Sequence, residues 1–217
     1  MTEPNFESLR RAMVSNQLRT WAVNDPQVIS AMGAVARETF VPADRAALAY
    51  VDALMPIAEG RSLNTSAATG RLLAALGVRA GEKVLLVGAA TGYAAALLGE
   101  LGARVVALEE NRALADAAAS ALAGHAQVSI VNGPLAEGWA KDAPYDAILI
   151  DGAVEHVPDA ISAQLKDGGR IATGIVERGV TRLASGRKAG EVLALADFVD
   201  AETAILPGFA IPKSFVF

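Results

Sequence analysis

The run Val84-Leu85-Leu86-Val87-Gly88-Ala89-Ala90-Thr91-Gly92-Tyr93 carries the strongest chemical signal in this sequence. An apolar strand enters a glycine turn, and the turn opens a helix. Glycines at 88 and 92 permit a tight reversal and let the backbone approach a bound group with no Cβ in the way. Glu109, with Glu110 beside it, stands near the end of the next β-rich run, about 20 residues past the first glycine. A carboxylate at that distance can accept hydrogen bonds from a ribose diol. Together these features point to an adenosine-containing cofactor lying across the strand tips. A pyrophosphate binder would need Gly-x-Gly-x-x-Gly, and a P-loop would need a Lys after the turn; neither is present. The alternative is a turn that only joins strand to helix.

Composition narrows the chemistry further. The chain of 217 residues has no Cys and two His, so it has no thiolate nucleophile, disulfide framework or Cys-based metal site. His125 and His156 are distant in sequence and fit neither a metal-ligand pattern nor a Ser-His-Asp arrangement, and no metal site is expected. A net charge of −5 argues against a nucleic-acid partner, which would require clustered Lys and Arg. The longest apolar stretch, 84–99, is interrupted by Gly88, Gly92, Gly99, Thr91 and Tyr93, so no membrane span is expected. The opening residues carry acids and no apolar signal-peptide core, which implies a cytoplasmic location. Nothing in the sequence specifies an oligomeric state.

The elements that must position these residues fall into two regimes. Leu9, Met13 and Leu18, then Val28, Ile29, Met32 and Val35, recur at helix spacing, with Asn24-Asp25-Pro26 as a start signal for the second helix. Pro42 and Pro56 punctuate a loop-rich passage through residue 64. After Arg71 the rhythm becomes strand, turn, helix. Strands are expected at 83–87, 104–108, 128–132, 145–150 and 170–175, and helices at 93–101 and 112–122. The strands 83–87, 104–108 and 145–150 are nearly continuous apolar runs, as in parallel strands covered on both faces. An α/β doubly wound sheet follows. Residues 180–184 and 192–198, joined across 186–190, predict an antiparallel C-terminal hairpin, and 214–217 a final strand. One domain over 1–217 is expected, with a helical cap and loop in 1–70, a βαβ core in 71–176 and C-terminal strands in 177–217.

The Gly-x-x-x-Gly spacing resembles motif I of the S-adenosylmethionine (AdoMet) methyltransferases, whose ligand carries no phosphate. Four further phrases sharpen this: Met13-Val14-x-x-Gln17-Leu18; Asp25-x-x-Val28-x-x-Ala31-Met32; Val35-x-Arg37-Glu38-x-Phe40-Val41-Pro42; and Ala49-Tyr50-x-Asp52. In this order and at this distance from the glycine turn, they resemble the opening of protein-L-isoaspartate O-methyltransferases. The likeness runs from about Leu9 to Val176. It implies a Rossmann-like class I AdoMet-dependent sheet with an N-terminal helical cap. It also implies methylation of the free carboxylate of L-isoaspartyl residues in a protein or peptide substrate, with S-adenosylhomocysteine as product. The ester then closes to a succinimide that can reopen as aspartate. An acceptor carboxylate is already ionised at neutral pH and needs no His base or Cys nucleophile. What it needs is to be held in line with the sulfonium methyl.

Carried over residue by residue, the resemblance assigns cofactor contacts to Gly88, Ala89, Thr91, Gly92, Tyr93, Glu109, Glu110, Gly133, Pro134 and Asp151, and catalytic orientation to Asn64, Thr65 and Ser62. Several positions depart from the family pattern. Its substrate loop, approximately Gly-Gln-Thr-Ile-Ser-x-Pro, becomes Gly60-Arg61-Ser62-Leu63-Asn64-Thr65-Ser66, so Asn64 stands at the family serine. Leu86 replaces the usual acid at the strand end, and Ala90 the middle glycine. If that backbone position requires φ > 0, Ala costs about 1 kcal/mol. Gly133-Pro134-Leu135 stands for Gly-Asp-Gly, and Asp151-Gly152-Ala153 for Thr-Ala-Ala. These departures gather where ligands would bind. A divergent methyltransferase and a non-catalytic pseudoenzyme acting as a binding or regulatory module both fit them; a nucleotide-dependent oxidoreductase is a more remote reading. Arg61 is either a cation for the acceptor carboxylate or a surface group. His156 is expected in an exposed loop, His125 at a helix end, and Trp139 and Tyr145 in packing.

Overall fold

The computed structural model describes residues 4–58 and 60–211. Helix α1 (Phe6–Met13) starts at Asn5, whose Oδ1 accepts from Ser8 N, and passes into a π-helical turn, Val14–Leu18. Helix α2 (Pro26–Ala34) starts where Asn24-Asp25-Pro26 predicts: Asp25 accepts from Gln27 N and Val28 N, and proline fills the first helical position. Two 3-10 segments follow, Arg37–Phe40 and Ala43–Leu48. The passage expected as loop then forms a small antiparallel hairpin, β1 (Met55–Ala58) and β2 (Arg61–Leu63).

Helix α3 (Ser66–Leu76) is a further element that sequence periodicity did not reveal. Its run of alanines gives little amphipathic contrast, because nearly every face is buried. The end signals are nonetheless present: Thr65 caps it through Ala68 N, and Gly77 closes it in the left-handed region at φ 58°.

The main sheet comprises β3 (Lys83–Val87), β4 (Arg104–Glu109), β5 (Val128–Asn132), β6 (Tyr145–Val154), β7 (Leu165–Glu177), β8 (Val180–Ala189) and β9 (Val192–Asp200). Helices α4 (Tyr93–Glu100), α5 (Arg112–Ala121) and α6 (Asp159–Ser162) connect them. The order is β5-β4-β3-β6-β7-β8-β9, parallel through β7 and antiparallel beyond it. The chain moves outward from β3 to β5 and then returns to β6 on the other side of β3. The switch point therefore lies between the tips of β3 and β6, where open α/β sheets hold ligands.

Both faces are covered, as the continuous apolar runs require. Val84, Leu86, Ala147 and Leu149 join the core under the cap, α3 and α4. Leu85, Val87, Ile148 and Ile150 join a second core with Leu206 and Phe209 on the opposite face. Leu86 is thus a core residue, without exposure.

The C-terminal hairpin differs in register from the sequence expectation. Gly186 lies inside β8, opposite Leu195, and the reversal falls at Gly190 and Glu191. Close interstrand approach explains this glycine: a Cβ at 186 would meet Ala194 O at 2.1 Å. After β9, a strap of residues 201–211 runs back over the sheet tips, with Ile205 bridged to Ala153. The final strand expected at 214–217 lies outside the described residues.

Candidate functional site

The turn after β3 has the strained backbone that the sequence implied. Gly88 and Gly92 take φ of 82° and 101°, and Ala90, at the family's middle glycine, is held at φ 52°. Amides of Gly88 and Ala89 both donate to Leu108 O, which locks the turn against β4. Thr91 Oγ1 donates to Phe40 O at 2.5 Å, and the buried Tyr93 ring packs beside Phe40 and under the Arg37 guanidinium. Thr91 and Tyr93 therefore face the cap. Burial raises the Tyr93 phenol, against the charge of Arg37.

Glu109 ends β4 and is fully buried. Its side chain accepts four hydrogen bonds. Oε1 receives Arg61 Nη1 at 2.5 Å and Asn111 N at 3.0 Å, while Oε2 receives Arg61 Nη2 at 2.8 Å and Ala90 N at 2.7 Å. A carboxylate has about four acceptor positions, so this one is saturated. Arg61 is not the surface group that one expectation made it: its side chain is 6% exposed and forms a two-pronged fork with Glu109.

Asn64 is equally engaged. Nδ2 donates to Asp151 Oδ1 at 2.7 Å, Oδ1 accepts from Ala204 N at 2.8 Å, and its backbone oxygen accepts from Arg37 Nη2 at 2.7 Å. One residue thus joins the cap, the tip of β6 and the strap. Burial pushes the Asp151 carboxyl up to about 6, against the Asn64 hydrogen bond and the Arg37 and Arg61 charges, which pull it down. Thr65 spends its hydroxyl oxygen on capping α3, and Ser62 is half-buried in β2. Glu110 and Pro134 are exposed and share a shallow depression with Asn111 and Gly133. His156 is exposed, as expected, and the half-buried His125 follows the end of α5. Among the described residues no group of three or more His, Cys, Asp or Glu could hold a metal, and no helix is long and apolar enough to cross a membrane.

The structure therefore brings Asn64, Asp151, Glu109 and the glycine turn to the switch point, with Ser62 and Thr65 in the adjoining segment. Two participants carry neither a cofactor contact nor a catalytic role in the sequence reading, which offers Arg61 only as a cation for the acceptor carboxylate or a surface group. Arg61 occupies the Glu109 carboxylate, and Leu206 occupies the space that glycine leaves at both strand tips. A Cβ at Gly88 would meet Leu206 Cδ1 at 2.9 Å, and one at Gly152 would meet Leu206 Cγ at 2.6 Å. The signal for Arg61 was its position one residue after Gly60 in the substrate loop. The signal for Leu206 was slight, since an apolar residue near a terminus names no partner. In this conformation the residues do not fit an adenosyl group: Glu109 has no acceptor position left for a ribose diol.

Comparison with known proteins gives the scaffold its family. Residues 8–199 match the family Protein-L-isoaspartate(D-aspartate) O-methyltransferase (PCMT). A protein-L-isoaspartate O-methyltransferase of Methylorubrum populi is 43% identical over 166 residues, 76% of this chain and 78% of that protein. Protein-L-isoaspartate O-methyltransferase 1 of Rhodopseudomonas palustris is 39% identical over 169 residues, 77% of this chain and 69% of that protein. Among solved structures, a protein-L-isoaspartate O-methyltransferase superposes with a TM-score of 0.79 at 22% identity, over 92% of this chain and 66% of that one. A Plasmodium falciparum protein assigned to the same family, in complex with S-adenosyl-L-homocysteine, superposes with a TM-score of 0.75 at 17% identity, over 94% of this chain and 99% of that one. The structural likenesses establish the Rossmann-like methyltransferase fold; with the sequence match across the cap, glycine turn and sheet, they make this chain a member of the protein-L-isoaspartate O-methyltransferase family.

Proposed function

We propose that this protein transfers the methyl group of S-adenosylmethionine to the side-chain carboxylate of L-isoaspartyl residues in proteins or peptides, releasing S-adenosylhomocysteine. The carrying observation is the family match over residues 8–199, which takes in the cap, the glycine turn and Glu109 together. The chemistry suits a chain without Cys and with two His, because the acceptor supplies its own ionised nucleophile. The acidic balance fits a protein acceptor rather than a nucleic acid, and a cytoplasmic setting belongs to the same proposal. Around the acceptor, Asn64, Thr65 and Ser62 remain the residues proposed to orient a carboxylate once the seat is open.

A non-catalytic protein on this scaffold is the second reading, and the saturated Glu109 carboxylate is the observation that favours it. Radiolabelled methyl transfer to an isoaspartyl peptide, compared with its aspartyl twin, separates the two. Label on the isoaspartyl peptide alone is the expected result. A folded chain that binds S-adenosylhomocysteine yet labels neither peptide would establish the second reading instead.

A further inference from the structure

The ribose seat at Glu109 is filled from within the chain, and the manner of filling bears on how the site operates. We propose that Arg61 is an internal competitor for this seat. Its guanidinium occupies Glu109 in the place of a ribose diol, and the cofactor binds only when the β1–β2 hairpin carries the arginine away. The inference rests on the methyltransferase reading of the same site.

The hydrogen-bond census makes the competition direct. Four donors meet the Glu109 carboxylate, two from Arg61 and two from the backbone amides of Ala90 and Asn111. The backbone pair belongs to the turn and to the residue that caps α5, so it holds the carboxylate in place whichever ligand is present. Only the arginine fork is exchangeable. Two ribose hydroxyls would supply two donors where the two guanidinium nitrogens now stand, and the displaced cation would regain its hydration.

The element that bears Arg61 is suited to move. The β1–β2 pair is a sheet of its own, with no strand ladder to the seven-stranded sheet; the Arg61 fork is its side-chain link to β4. Its register is irregular between Pro56 and Ala58. An isolated two-stranded hairpin is marginally stable by itself. Gly60 turns immediately before Arg61 at φ +66°, with no atom of the described residues within 4 Å of where its Cβ would stand. The far end of β2 is anchored, because Asn64 is held by Arg37, Asp151 and Ala204. Motion of Arg61 in β2 about this anchor withdraws the guanidinium and leaves the main sheet intact.

The test uses calorimetric titration of adenosine, S-adenosylhomocysteine and 2′,3′-dideoxyadenosine into the full-length wild-type, Arg61→Gln and Arg61→Lys chains, with thermal unfolding as the check of fold. Gln removes the charge and the fork. Lys keeps the charge, which protects folding, but cannot fill both carboxylate oxygens. If the fork holds nine chains in ten closed, its removal tightens adenosine and S-adenosylhomocysteine by about tenfold. Arg61→Lys falls between Arg61→Gln and wild type. The dideoxy nucleoside, which lacks both hydroxyls, shows no gain, whereas general loosening of the pocket would help it equally. Equal affinity for S-adenosylhomocysteine across the three folded chains overturns the competition and leaves the methyltransferase reading standing. No binding by any of them overturns both.

Discussion

Two arginine–glutamate pairs hold the N-terminal part of this protein together, and they are built differently. In the cap, Arg10 donates to Glu38 at 2.9 Å and to Tyr50 Oη at 2.8 Å, and Tyr50 in turn donates to Glu38. The two charged side chains remain 16% and 12% exposed. Burial pushes the Tyr50 phenol up to about 12, so it stays a donor throughout the neutral range. At the sheet tips, Arg61 and Glu109 are 6% and 0% exposed and no tyrosine links them. The first network lies among the residues that carry the family resemblance and joins cap to cap. The second lies at the switch point, beside the glycine turn. Position in the fold, rather than the type of pair, separates a clasp from a plug.

The largest expected effect breaks the second pair from the acid side. Glu109→Ala removes the acceptor of the Arg61 fork and of the Ala90 and Asn111 amides together, and costs roughly 3–5 kcal/mol in urea unfolding. Glu38→Ala leaves Arg10 with Tyr50 and a route to solvent, and costs about 1–2 kcal/mol. Equal losses would remove the distinction between the two networks.

The next effect concerns Asp151, between Asn64 and the strap. Its folded value of about 6 exceeds the ordinary 3.8, so its contribution is full below pH 4 and is lost as pH rises through 6. The swing is roughly 3 kcal/mol. Arg170 and Lys166 lower the Glu82 and Asp146 carboxyls, which contribute with the opposite sign, losing stability as pH falls. The measurement is therefore the difference between wild type and Asp151→Asn from pH 4 to 8. That difference should shift steadily against the wild type across pH 4 to 6; a flat difference would place the carboxyl in an ordinary environment.

A smaller effect probes the strained turn. Ala90 sits at φ 52°, so Ala90→Gly should raise stability by about 1 kcal/mol, read as a higher urea midpoint at unchanged slope. Destabilisation instead would show that the Ala90 methyl packs well enough to offset the strain. The smallest change is at Glu110, which is exposed beside the buried Glu109. Glu110→Ala should stay within about 0.5 kcal/mol of wild type and leave S-adenosylhomocysteine affinity unchanged. Loss of affinity comparable to that of Glu109→Ala would reassign the ribose contact.

Much of the scaffold was legible because local physics wrote it. Alternation along 84–87 and 147–150 sends successive residues to opposite cores. Asp25 before Pro26 sets the start of α2, and the glycine turn required φ > 0 at three of its positions. Helix α3 escaped because its periodic signal vanishes when every face is apolar or small, although Thr65 and Gly77 marked its ends. The C-terminal turn was misplaced because Gly186 serves an interstrand contact, and a glycine signals a need for space without saying which need.

By itself, then, the sequence determined the parallel α/β sheet, its helical cap, the strained glycine turn and the acid 21 positions beyond Gly88. Each is encoded by neighbours within one or two elements, where periodicity and backbone sterics act. Only the tertiary structure decided what Glu109 binds. Its partner stands 48 positions away on a separate hairpin, and Leu206 reaches Gly88 from the end of the chain. A saturated carboxylate is a property of three-dimensional hydrogen-bond geometry. Residue types can show that an acid is present, but only the folded chain shows that its acceptor positions are already filled.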